Sequence, residues 1–387
     1  MQDGAAQGVS EIERKAGPVR YLSLVDGVRG IAALAILLYH YVHFFMSGPN
    51  RRAEDGVTQM FPGYDWLWVF YDYGYLAVQV FWLISGFVFA QVYYGGKAST
   101  RSFVVNRFAR LYPLHLLTLL VVAALQFAAV QHFGYSLLYA NYDLPHFIEQ
   151  LFMASDWLRE DGGYSFNGPI WSVSVEIVIY ALFWISRGWV MRFGLGLLLV
   201  MVLGFYMAHD HWGDVSRVFS CGLYFFVGCA LMMARRICHD DMRKLAVPLA
   251  LLVALGLFGV AIGTNWSLRY FVIPGFGGAL LVLLAQAECW AGAGLRRICE
   301  WLGQNTYGLY LWHVPLQLTL LLVLKPQYDP ATIAQNWWFL ASFVILSVLV
   351  ARISFAVFER PARDALRRRL GGRAAAAKGG DKTVTAS

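Results

Sequence analysis

Apolar positions along this chain come in long blocks. They do not follow the interrupted spacing of a soluble core. Ten blocks read as helices of spanning length, at roughly 23–46, 66–94, 111–133, 169–187, 189–208, 214–235, 245–263, 267–288, 303–324 and 337–358. A hydrocarbon core about 30 Å thick needs about 20 mainly apolar helical residues to cross it. Lipid offers no partner to a bare N–H or C=O, so such blocks must be helices bonded within themselves. The pattern therefore predicts an all-α polytopic transmembrane helix bundle over 23–363. A polar segment precedes it at 1–22, and a basic low-complexity tail, expected to be disordered, follows at 364–387.

Polar residues that interrupt the blocks carry the candidate chemistry, because ionisable groups at membrane depth are costly and by default face a functional path. The first block, DGVRGIAALAILLYHYVH, has Asp26 and Arg29 at one end and His40 and His43 at the other. At about 100° per residue, eleven steps bring His40 to within about 20° of the face of Arg29, roughly 16 Å further along the axis. Arg107 and Arg110 are three apart and share a face at the mouth of the third helix. Two planar guanidinium forks side by side make a phosphate receptor; the alternative is ordinary topogenic charge. Glu176 sits about two turns inside the fourth helix, with Trp171 and Tyr180 about one turn to either side. His313 lies mid-span before Pro315, whose missing N–H frees a backbone carbonyl and bends the helix. Ser85-Gly86 in the second span permits close helix approach. The loop 134–168 mixes carboxylates with Tyr and Trp, which suits a sugar or an interfacial belt equally.

Composition agrees with this reading. The 387 residues are 58% hydrophobic and 14% charged, with a mean hydropathy of +0.52, which excludes an ordinary soluble domain. The net charge of +7 does not point to nucleic acid, because its distribution is topological. Of the 31 Lys and Arg, 23 fall on the side of the N-terminus, six fall on the other, and Arg29 and Arg352 lie within spans. The positive-inside rule then places both termini in the cytoplasm, which an even count of ten helices allows. The first 20 residues contain no signal-peptide h-region, so no cleavage is expected. Five cysteines show no CxxC or metal spacing, and no metal site is expected.

Six motifs in order resemble those of the acyltransferase-3 family of integral membrane O-acyltransferases. VDGVRGIAALAILLYHY is similar to its opening LDGxRG…H, YLAVQVFWLISGF to its FFxxSGF block, and FVVNRFARLYPL to its RxxR motif. GPIWSVSVEIVIY resembles its WSLxxE motif, LGQNTYGLYLWHVPL its LGxxSYxLYLWHxP motif, and FERPAR its closing ERP. The likeness runs from Leu24 to about Arg363, in the stand-alone form of the family. Two departures are Gln79, where many members carry Asp, and Val25, where Leu is usual. The resemblance implies a multi-pass enzyme of the cell (inner) membrane. It would take an acyl group, most simply acetyl, from cytosolic acyl-CoA and place it on a hydroxyl of an extracytoplasmic carbohydrate or glycolipid. The donor is a substrate; no tightly bound cofactor is implied. The family's catalytic histidine maps onto His40 as general base, with Glu176 assisting. Arg29, Arg107 and Arg110 would hold the donor, and Asp26, His43, Trp171, Tyr180 and His313 would line the substrate path. The competing reading is a transporter or flippase of a lipid-linked sugar or acyl group; no inverted repeat favours it.

Overall fold

The computed structural model describes residues 21–49, 55–95, 98–157, 164–212, 216–237 and 273–371. Eight helices among them are long and apolar enough to cross a membrane. They contain Ser23–Tyr39 (α1), Tyr64–Tyr73 with Ala77–Tyr93 (α2 and α3, one span), Thr100–Phe133 (α4) and Trp171–Phe193 (α6). Leu195–Trp212 (α7), Val218–Ile237 (α8), Ala293–Leu324 (α10) and Trp337–Ser354 (α12) complete them. Shorter helices are Leu144–Leu151 (α5), Gly278–Ala287 (α9), Pro330–Ala334 (α11) and Arg360–Gly371 (α13). The all-α expectation holds. Of the ten expected spans, 245–263 lies outside the described residues, and of 267–288 only 273–288 is described, helical over Ile273–Ala287.

Several boundaries differ from those read in the sequence: α10 starts at Ala293 instead of 303, α6 runs on to Phe193 instead of 187, and three further differences bear on the site. The third span was expected from 111, but α4 starts at Thr100, where the Ser99 side chain caps it by accepting from the Ser102 N–H at 3.2 Å. At 34 residues it is about 51 Å long and overhangs the hydrocarbon core. Arg107 and Arg110 therefore lie inside the helix instead of at its mouth. The first helix was expected to run evenly to 46. It is α-helical only to Tyr39 and tightens to a 3₁₀ turn over His40–Phe45. The tail boundary drawn at Arg363 falls inside α13, so 364–371 is helical and packs against α4, while 372–387 lie outside the described residues.

The bundle is built on two close helix pairs. In the first, α1 lies along α10; a Cβ on Gly30 would sit 2.5 Å from the Leu302 Cβ, and one on Gly303 2.5 Å from the Asp26 Cβ. In the second, α3 crosses α8, where Gly86 meets the Phe225 carbonyl and Gly228 the Leu83 carbonyl. Small residues let backbones approach, which is how helices gain packing in a solvent as apolar as their own side chains. Glu288 pins the start of α1, accepting from the Ser23 hydroxyl (2.5 Å) and the Leu24 N–H (3.0 Å). A carboxylate there satisfies an orphan donor and complements the helix dipole.

Candidate active site

Five of the expected site residues line one cavity. Arg29 reaches it from α1, Arg107 and Arg110 from α4, and Glu176 and Tyr180 from α6, with Ser85 of α3 and Tyr307 and Tyr310 of α10. Its volume is about 70 Å³, room for about five waters. The Arg107 guanidinium lies 4.6 Å from the Phe89 ring centroid and 6.0 Å from that of Tyr180. Phe89 and Tyr180 are themselves stacked at 4.4 Å. Asp26 is buried against the same arginines. It accepts from Arg29 at 3.3 Å and from the Tyr21 hydroxyl. Burial, and then the Asp26 carboxylate, raise the Tyr21 phenol above its usual pKa. Arg110 makes no hydrogen bond or close ion pair among the described residues; Glu359 and Asp26 act on it from further away.

The second centre is a trio of histidines. The His40 ring centroid lies 5.1 Å from that of His43 and 4.9 Å from that of His313. The 3₁₀ turn explains the first distance, because at three residues per turn side chains i and i+3 eclipse one another. Sequence periodicity at 100° per residue placed the two histidines only on a common stripe. His40 Nδ1 meets the Ile36 carbonyl at 2.9 Å, and His313 Nδ1 meets that of Leu309 at 3.3 Å. A carbonyl only accepts, so both Nδ1 atoms carry a proton, and in the neutral ring the lone pair is on Nε2. Gln317 fixes the third ring. Its Nε2 donates to the His40 carbonyl (2.7 Å), so its Oε1 faces His43 Nδ1 (2.8 Å) and accepts from it. His43 and His313 are buried, whereas His40 is partly open.

Tyr310 joins the two centres. It lines the cavity, its ring centroid is 6.1 Å from that of His313, and its hydroxyl bonds to the Pro169 carbonyl and the Ser172 hydroxyl. The carbonyl that Pro315 frees is Leu311 O, and the buried Asn167 side chain donates to it at 3.0 Å while also bonding Thr118. The proline-bearing α10 is thus tied to the entry of α6. On the far side of the histidines, Tyr139 meets His43 edge-on at 5.8 Å. Its loop is held by Gln126, which bonds both the N–H and the carbonyl of Leu137.

The structure therefore separates residues that the sequence reading had grouped. Glu176 and Tyr180 lie with the arginines, as does Asp26, which is about 21 Å along α1 from His40. Trp171 forms a wall, edge-on to Trp82 at 5.7 Å and 4.3 Å beneath the Arg217 guanidinium. Gln317, Asn167 and Tyr310 were missed. Gln317 carried a usable signal, since it is four residues beyond His313 and shares its face; Asn167 carried none.

Spanning helices enclosing two polar centres define a multi-pass membrane protein. The chain matches the model of a family described as an acyltransferase domain over residues 23–355, and it belongs to that family. Among similar proteins, the putative peptidoglycan O-acetyltransferase YrhL of Bacillus subtilis (strain 168) is 23% identical over 386 residues, covering 89% of this chain and 55% of that protein. Peptidoglycan O-acetyltransferase OatA of Listeria monocytogenes is 23% identical, covering 89% and 56%. Acyltransferase MdmB of Streptomyces mycarofaciens is 32% identical over 165 residues, covering 42% and 38%. The chain spans about half the length of the curated relatives it matches. No solved structure matches it.

Proposed function

We propose that this chain is a membrane-embedded O-acyltransferase. It moves an acyl group, acetyl in the first instance, from acyl-CoA to a hydroxyl of a carbohydrate or glycolipid beyond the cytoplasmic membrane. The observation that carries the reading is the contact chain from the arginine cavity through Tyr310 and His313 to His40. The family membership and the names of two relatives support a carbohydrate acceptor.

In this reading Arg29, Arg107 and Arg110 hold the donor's phosphates by charge-assisted bonds. His40 Nε2 takes the proton of the acceptor hydroxyl as its oxygen attacks the thioester carbonyl. The tetrahedral intermediate collapses, the carbon–sulfur bond breaks, and the imidazolium returns its proton to the leaving thiolate. Neutral imidazole is the form such a base requires. Gln317 and His43 hold the base in place, while Tyr139 and Trp171 shape the acceptor side.

The test is purified protein in nanodiscs, given acetyl-CoA and cell-envelope glycan fragments. New ester is read by mass spectrometry and free thiol by a colorimetric reagent. Ester and thiol should rise together. A transporter would move substrate while forming no ester, and that outcome would end the reading.

A further inference from the structure

The most basic helix of the described chain, α13, has no part in the site above. It packs along the start of α4, and the Arg101 Nε–H donates to the Leu370 carbonyl at 3.0 Å. Arg363 and Arg367 are four apart and share a face. Arg367 lies within electrostatic reach of Arg363, of Arg107 and of Tyr93, and Tyr93 accepts from Arg107 at 3.4 Å. Arg110 in turn feels Arg29 and Arg107. The arginines therefore form a continuous file, Arg29, Arg110, Arg107, Arg367 and Arg363, from inside α1 to the end of the bundle. Asp364 accepts from Arg363 at 3.3 Å, and Glu359 acts on Arg110 and Arg363. The Arg367 Nε is buried and has no hydrogen-bond partner among the described residues. With Asp26 on Arg29 and Glu176 near Arg29 and Arg107, four carboxylates face the five arginines, so positive charge is left in excess. Topogenic charge alone would be expected to point outward, as Arg368 and Arg369 do.

We propose that Arg363 and Arg367 form, with Arg107, a second anion subsite that receives a phosphate monoester at the outer end of the file. If the reading of the donor as acyl-CoA holds, on which this rests, that monoester is the 3′-phosphate of the donor's ribose. Arg29 and Arg110 then keep the pyrophosphate. Paired guanidinium forks suit a dianionic phosphate, which offers several acceptor oxygens at one point.

The experiment compares acetyl-CoA with acetyl-3′-dephospho-CoA, using the full chain in nanodiscs of zwitterionic or of anionic lipid. The native protein should prefer acetyl-CoA by about tenfold or more in kcat/KM, the scale of one or two charge-assisted bonds. In R363Q/R367Q that preference should fall toward unity, mainly through a higher KM for acetyl-CoA. The R367K variant should restore part of it, and R368Q/R369Q should keep it. Turnover of the dephospho donor by the double variant checks that the protein is folded; should it be inactive, R367Q alone carries the comparison. No acetyl transfer by the native protein would overturn the donor reading itself. Transfer without preference for the 3′-phosphate, or a preference that survives in R363Q/R367Q, would overturn the subsite alone. A double variant that changes only the dependence on anionic lipid would assign these arginines to a headgroup and also overturn it.

Discussion

At the scale of single residues, the histidines and arginines carry the clearest expectations. We expect His40→Ala to abolish ester formation while the protein still accumulates in the membrane; normal turnover would remove it as the base. Arg107→Ala with Arg110→Ala should raise KM for acetyl-CoA by at least about tenfold, with a smaller change in kcat. Titration calorimetry with CoA checks the binding arm, and unchanged affinity would dismiss the phosphate clamp. The sequence singled out both groups because intramembrane charge is rare and conspicuous. It did not single out Gln317, because glutamine in a span is usually packing, and its bond to His43 crosses 274 positions of chain.

At the scale of elements, the first helix was legible in outline and not in detail. Apolar length implied a span, and the 3.6-residue period put Arg29 and His40 on one face. No local signal announced the change to 3₁₀ at His40, which depends on what α10 and α11 present. The Gln317 amide takes the His40 carbonyl, and Tyr41 donates to the Ala334 carbonyl. Pro315 did announce an orphan carbonyl, while its partner could only be seen once α6 was in place. Asn167→Ala should leave Leu311 O buried and unpaired, and destabilise the protein by about 1–3 kcal/mol. Thermal unfolding in detergent measures this, and an unchanged midpoint would mean that the bond contributes nothing. Gly30→Val should destabilise by at least about 1–3 kcal/mol, because the side chain would enter Leu302. If Gly30→Val unfolded at the native temperature, α1 and α10 would not be as close as described.

At the scale of the whole molecule, the orientation expected from charge predicts that a reporter fused at Ser387 signals from the cytosol. An extracytoplasmic signal would break the arrangement with both termini inside, and would put the arginine file on the wrong side for a cytosolic donor. What the chain determines by itself is the solvent it folds in and the elements it uses. Long apolar blocks must become self-bonded helices in lipid, whatever surrounds them. It also determines which charges are unusual, since the cost of burying them is a property of each residue. Which of those charges meet was decided by packing alone. Glycine contacts set how closely α1 approaches α10, and a side-chain amide bridges His40 and His43. A terminal helix that reads as a solvated tail is brought against α4. Such meetings depend on distances between helices far apart in the chain, and no period along a single strand of sequence encodes them.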